Sequence, residues 1–167
     1  MKIICDFDHT VLNTYEMFKN FDFGAKDAQS GLIIAAKTSK SFIFKDVVDF
    51  AENFEKKDLI LLSRGANEFQ KEKIKNSGVE FFFGKIIIIS KDKVDEISQI
   101  YAEHSKEKIF FIDDRAEEID KVKKKFPQII TMKMERPMGK YVEIKSELTD
   151  YTIKDLLEAK EIIEHSV

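Results

Sequence analysis

Three short apolar runs in this chain each end abruptly in polar side chains, and that pattern constrains the fold more than any other feature. Ile3-Ile4-Cys5 leads into Asp6 and Asp8, with Thr10 just beyond. Ile60-Leu61-Leu62 runs into Ser63-Arg64-Gly65, and Ile109-Phe110-Phe111-Ile112 into Asp113-Asp114-Arg115. Uninterrupted apolar runs of this length read as strands buried on both faces, as in a parallel sheet. Ligands of open parallel sheets bind outside the carboxyl ends of the strands. The three polar endings are therefore expected to gather at one edge.

The segments between the runs carry helical spacing. Val47, Val48, Phe50, Ala51 and Phe54 share a face, as do Val94, Ile97, Ile100 and Tyr101. A helix over 68–77, with Phe69 and Ile74 inward, is closed by Gly78. Another over 116–126 stops before Pro127, and a last one spans 153–163. Strands are expected at 2–8, 58–62, 108–112 and 129–134, with one more at either 79–83 or 85–90. Alternating strands and helices predict an α/β fold: a doubly wound, Rossmann-like, largely parallel sheet of about five strands. A chain of 167 residues fits one domain, 1–167.

About thirty residues separate the first strand from Phe44, more than a direct strand-to-helix link needs. Tyr15, Met17, Phe18, Phe21 and Phe23 there have helical spacing, with Asn13 and Thr14 as N-cap candidates. Leu32 to Ala36 reads as a second short helix.

Asp6 and Asp8 stand two apart, so in extended chain they project to the same side. Paired carboxylates at the end of a buried strand repel each other. They are costly unless a cation sits between them or one holds a proton. A hard divalent cation with oxygen ligands, Mg²⁺ above all, suits such a pair.

These residues resemble the haloacid dehalogenase-like (HAD) hydrolase superfamily. Asp6, Asp8 and Thr10 match its first motif, Asp-x-Asp-x-Thr after a strand. Ser63 matches the second, Lys93 the third and Asp113-Asp114 the fourth, in the right order. For the third motif Lys91 remains an alternative. The resemblance implies a Mg²⁺-dependent phosphatase, with Asp6 as nucleophile and Asp8 as general acid and base. Asp8 then needs a pKa raised into the neutral range. Ser63, Thr10 and Arg64 would contact the phosphoryl group or substrate, and Lys93 would add positive charge there. Asp6, Asp113, Asp114 and Asp8, the last through its backbone carbonyl, would serve the metal. The resemblance also makes residues 13–42 a small helical cap. Relatives that displace halide from carbon have no need of an acid at the position of Asp8, so phosphate-ester hydrolysis is favoured.

Two rival classes are weighed against this. A phospho-receiver domain places its acidic pair after the first strand and a lone Asp after the third, the reverse of the order here. A non-enzymatic metal-binding or regulatory module would be expected to lack part of the catalytic set. Another phosphoryl-transfer role, such as a phosphomutase, also remains. A net charge of −3, with lysines interspersed among acids, argues against a nucleic-acid polymer as partner. A small phosphorylated substrate, a nucleotide or sugar phosphate among them, is expected; Tyr15, Phe18, Phe21 and Phe23 would stack a base or form core. Cys5, alone and inside the first strand, reads as a buried structural thiol in a reducing compartment. With Met1 leading directly into that strand and no apolar run of spanning length, a cytoplasmic protein is expected. His9 reads as an accessory loop residue, and Arg115 equally as a substrate contact or as a partner of Glu117 or Glu118. His104 and His165 fall on helix surfaces, with no zinc pattern.

Overall fold

The computed structural model describes residues 1–19, 37 and 39–166. Its centre is β1 (Lys2–Cys5), flanked by β2 (Leu59–Arg64) and β4 (Ile109–Asp113). Outside them lie β3 (Lys85–Ile89), β5 (Ile130–Met134) and β6 (Tyr151–Ile153). The order is β3-β2-β1-β4-β5-β6, and every pairing is parallel. The α/β class and parallel sheet are as expected, with six strands rather than about five.

The extra strand is β6. The sequence pattern assigns Ile153 to the last helix, but that helix (α6) spans Leu156–Ser166. Asp155 sets its start: its carboxylate accepts from the backbone N–H of Leu157 and Glu158, both at 2.9 Å. An oxygen accepting from the first free amides is what begins a helix. The three strand residues upstream expose two of their side chains, so no apolar run announces them.

The helices described are α1 (Thr14–Lys19), α2 (Asp46–Ala51), α3 (Asn67–Ser77), α4 (Lys93–Glu103), α5 (Ala116–Lys125) and α6. They cover both faces of the sheet. Ile3, Cys5, Leu61 and Ile112 pack with Val47, Phe50, Leu156 and Ile163 on one side. Ile4, Ile60, Leu62 and Phe111 pack with Ile97, Ile100, Ile119 and Val122 on the other. Strand side chains alternate faces, so each apolar run feeds both cores. Cys5 is fully buried, and burial pushes its thiol pKa far up, which leaves it inert packing.

One local expectation changes, and one open alternative is settled. β1 ends at Cys5 rather than at residue 8, because the next residues curl: the N–H groups of Val11 and Leu12 both donate to the Phe7 carbonyl, at 2.9 and 2.8 Å. Gly78 closes α3 at φ +72°, in the left-handed region. The chain then takes a 3-10 turn over Val79–Phe81 rather than a strand, which leaves Lys85–Ile89 as the third strand.

Of the predicted cap, α1 and a 3-10 turn over Ser39–Phe42 are described. Asn13 caps α1 by accepting from the Glu16 N–H at 3.1 Å. Phe21, Phe23 and the helix expected at Leu32 to Ala36 lie outside the described residues. No helix among the described residues is long and apolar enough to cross a membrane.

Candidate active site

The strand order reverses between β1 and β4, and the crevice forms at that switch point. Cys5 pairs in register with Ile112, so Asp6 and Asp113 emerge side by side. Ser63 and Arg64 end β2, and Lys93 opens α4. A cavity of about 230 Å³ results, with Asp6, Asp8, Lys93 and Asp114 among its walls.

Lys93 is 2% exposed. Its ammonium lies between two carboxylates, donating to Asp6 Oδ1 and, at 2.7 Å, to Asp113 Oδ2. Lys91 is exposed and borders a separate depression with Asp95 and Glu96, so Lys93 is the lysine at the site. Asp6, Asp113 and Asp114 are all buried and offer oxygens within 4.8 Å of one another. Burial pushes the Asp6 pKa up to about 7, against the pull of Lys93 and with the help of Asp113. Burial and the charges of Asp6 and Asp113 push Asp114 to about 9. Burial also raises Asp113, only partly offset by Lys93.

This trio fits a hard divalent cation. One ammonium cannot match three crowded carboxylates, and without a further cation they hold their protons more tightly than usual. Asp114 Oδ2 is buried with no hydrogen-bond partner among the described residues. An orphaned buried carboxylate oxygen beside two others is costly, and an oxygen-seeking cation removes the cost.

The Asp8 carboxylate lies outside that trio. Thr14 Oγ1 donates to Oδ1 at 2.6 Å, Gln70 Nε2 to Oδ2 at 2.6 Å, and the Lys73 ammonium to Oδ1. Burial pushes the Asp8 pKa up, but Lys73 and these hydrogen bonds outweigh it, so the net shift is downward. The raised pKa anticipated for Asp8 is thus reversed: the sequence suggested carboxylates as its neighbours, whereas the fold brings a lysine.

Ser63 and Thr10 are both fully buried and do not line the cavity. Ser63 Oγ accepts from Gln70 Nε2 at 2.6 Å, so the Gln70 amide joins Ser63 to Asp8. A Cβ at Gly65 would come within 2.9 Å of Gln70 Cγ, so the glycine leaves that amide its place. The Thr10 hydroxyl has no partner among the described residues, while its carbonyl accepts twice from Arg136, at 3.2 and 2.8 Å. Arg64 lines the cavity but is tied to the buried Glu118 at 2.6 Å. Glu118 in turn accepts from the Lys93 N–H at 3.3 Å and so fixes the start of α4. Arg115 pairs with Glu117 at 3.3 Å. His9 adopts φ 60°, and its ring stands edge-on to Tyr141 at 6.3 Å. Burial lowers its pKa, partly countered by Asp8.

Gln70, Lys73, Arg136, Lys140 and Tyr141 were not anticipated. For Gln70 and Lys73 a signal exists. They stand three apart on α3, with Lys73 beside the inward Ile74. Long polar side chains flanking an inward apolar position, on a helix that follows a strand ending at the candidate site, are candidates for that site. Arg136 and Tyr141 lie in the loop after β5, where no periodicity marks them.

No protein-family model and no curated protein matches this sequence. Solved structures do match. A haloacid dehalogenase-like family hydrolase from Streptococcus pneumoniae superposes with TM-score 0.67 at 15% identity, covering 97% of each chain. An L-2-haloacid dehalogenase from Xanthobacter autotrophicus gives 0.69 at 10% identity, covering 99% of each. A proposed HAD-hydrolase from Bacillus subtilis, bound to magnesium, gives 0.64 at 16% identity, covering 97% of each. The fold is that of the haloacid dehalogenase-like hydrolases, as the motif resemblance implies.

Proposed function

We propose that this chain is a Mg²⁺-dependent phosphohydrolase that cleaves a phosphate monoester through an aspartyl-phosphate on Asp6. The observation that carries the reading is the arrangement around Asp6. A nucleophile-grade carboxylate contacts a buried lysine and two further acids, with a second, separately hydrogen-bonded carboxylate, Asp8, two residues away.

In the first step an Asp6 oxygen attacks phosphorus and the bond from phosphorus to the leaving oxygen breaks; Asp8, which Lys73 favours as the carboxylate in the free protein, first takes up a proton from the substrate monoanion or solvent and passes it to that oxygen. In the second, water attacks phosphorus, the bond to Asp6 breaks, and the water's proton returns to Asp8. Lys93 favours the ionised form of Asp6 against the upward push of burial, and contributes positive charge where the phosphoryl group gathers negative charge. Asp6, Asp113, Asp114 and the Asp8 backbone carbonyl would hold Mg²⁺, which when bound neutralises charge on the phosphoryl oxygens. Asp8 is what favours ester cleavage over halide displacement, because a departing alkoxide needs a proton and a departing halide does not.

Residues 13–42 are proposed as a small cap. Its described end rests on α3, where Ser39 Oγ donates to the Lys73 carbonyl at 2.8 Å. The lone buried Cys5 suits a reducing compartment, so a cytoplasmic place of action is part of the proposal.

Phosphate release from an aryl phosphate, measured with Mg²⁺ and with EDTA beside Asp6→Asn, tests the reading. Turnover that needs Mg²⁺ and vanishes in the variant is expected. A folded wild type that turns over no phosphate ester across a broad panel would instead indicate a binding module.

A further inference from the structure

The cavity has five cationic residues in its walls: Arg64, Lys73, Lys93, Arg115 and Lys140. Four are matched to carboxylates. Lys93 serves Asp6 and Asp113, Lys73 serves Asp8, Arg64 serves Glu118 and Arg115 serves Glu117. Lys140 makes no ion pair with any described residue. It is exposed at the cavity mouth, with its ammonium 5.2 Å from the centre of the Tyr141 ring. The Arg115 guanidinium stands 5.4 Å from the centre of the same ring.

Tyr141 thus carries two cations at the entrance, and His9 stands edge-on to it. The residues that face the scissile phosphoryl group, Asp6 and Lys93, lie deeper and are nearly fully buried. Lys140 lines the same cavity as Asp6, so a substrate seated with its phosphoryl group on Asp6 has room to extend its leaving group toward Lys140. An unmatched ammonium beside a half-buried, weakly paired guanidinium is suited to an anion, and a solvent-exposed Arg–Glu hydrogen bond contributes too little to keep Arg115 from one.

We propose that Lys140 and Arg115, arranged around Tyr141, bind a second anionic group on the leaving-group side of the substrate. The preferred substrates are then small phosphomonoesters that also bear a carboxylate or a second phosphoryl group. This inference rests on the phosphohydrolase reading and names the substrate class of that same site.

Two substrates that differ only in this group test it: 3-phosphoglycerate, with a carboxylate, and glycerol 3-phosphate, with a hydroxymethyl in its place. A bisphosphate, propane-1,3-diol bisphosphate, tells a carboxylate site from a general anion site. Steady-state kinetics of the full chain with Mg²⁺ should favour the two anion-bearing substrates, or one of them, over glycerol 3-phosphate. The expected advantage is roughly tenfold or more in kcat/KM, expressed mainly in KM, as one charge-assisted hydrogen bond supplies. Lys140→Met should bring the ratio close to one, and Lys140→Arg should restore most of it. Equal efficiency on all three in the wild type, or a preference that Lys140→Met leaves intact, overturns the inference and leaves the phosphohydrolase reading standing. So does turnover of an aryl phosphate alone. No release from any of these esters overturns the reading itself, and the inference with it.

Discussion

The Lys73 ammonium rests on the carboxylate of Asp8, 65 residues away in sequence, in a pocket closed over by the rings of Phe7 and Phe69. Lys73 is 2% exposed, so the pair is held away from water on the lysine side. Removing one partner of such a pair leaves a charge without compensation. Asp8 has its pKa lowered by this contact, so it contributes stability above its unfolded pKa, and that contribution is lost as pH falls through the folded value. Lys73→Met is therefore expected to destabilise the fold by about 2 kcal/mol near neutral pH and by less in acid. Urea unfolding at the two pH values checks this; equal losses at both would show that the pair does not act through charge.

The hydrogen bonds on Asp8 also bear on leaving groups. Aryl oxides depart without a proton, whereas alkoxides need one. Asp8→Asn is expected to slow an alkyl phosphate by about 100-fold or more, and an aryl phosphate by much less. Rates of phosphate release for the two ester types, compared in the variant and the wild type, decide it. A uniform loss would remove Asp8 from the acid's role.

The acidic trio gives a second pH dependence of opposite sign. Asp6, Asp113 and Asp114 have raised pKa values, with Asp6 at about 7 and Asp114 at about 9. Each holds its proton more tightly folded than unfolded. Each favours folding below its unfolded pKa and loses that effect as pH rises toward the folded value. In EDTA the melting midpoint should fall between about pH 5 and pH 8, and Mg²⁺ should recover most of the loss at the higher pH. Asp114→Asn should flatten the EDTA profile. A midpoint that rises across this range in EDTA would contradict the account.

Arg136 ties the loop after β1 to the rest of the fold. It holds the Thr10 carbonyl by two hydrogen bonds, pairs with Asp46 at 2.8 Å, and lies over the Phe44 ring at 4.0 Å. Asp46 also accepts from the Leu156 N–H at 2.7 Å, so one ion pair links the loop after β1 to α2 and α6. Arg136→Met should cost about 3–5 kcal/mol in urea unfolding, because it strands Asp46. Arg136→Lys should recover part of that, having the charge without the fork. A loss under about 1 kcal/mol would show that the loop is held by other contacts.

Much of this site was legible in the sequence. Asp6, Asp113 and Asp114 end apolar strands, and a parallel sheet aligns such ends whatever lies between them. Lys93 is singled out, with Lys91 as alternative, by the family resemblance, which places a lysine at the start of a helix, and it does open α4. Gln70 and Lys73 do not stand out, because polar residues on a charged helix read as solvated, and only the packing of α3 against the first loop turns them inward. β6 escaped because three residues with two exposed side chains carry no alternation to detect. Arg136 acts across 126 residues, a pairing that no local pattern encodes.

The central claim is that Asp6 becomes phosphorylated. The most direct measurement is a single-turnover reaction with an aryl phosphate and Mg²⁺, quenched in acid and read by peptide mass spectrometry. The account predicts one phosphoryl group on the peptide bearing Asp6 at early times, absent in EDTA and in Asp6→Asn, with phosphate release abolished in that variant. Phosphate released by Asp6→Asn at the wild-type rate would contradict it.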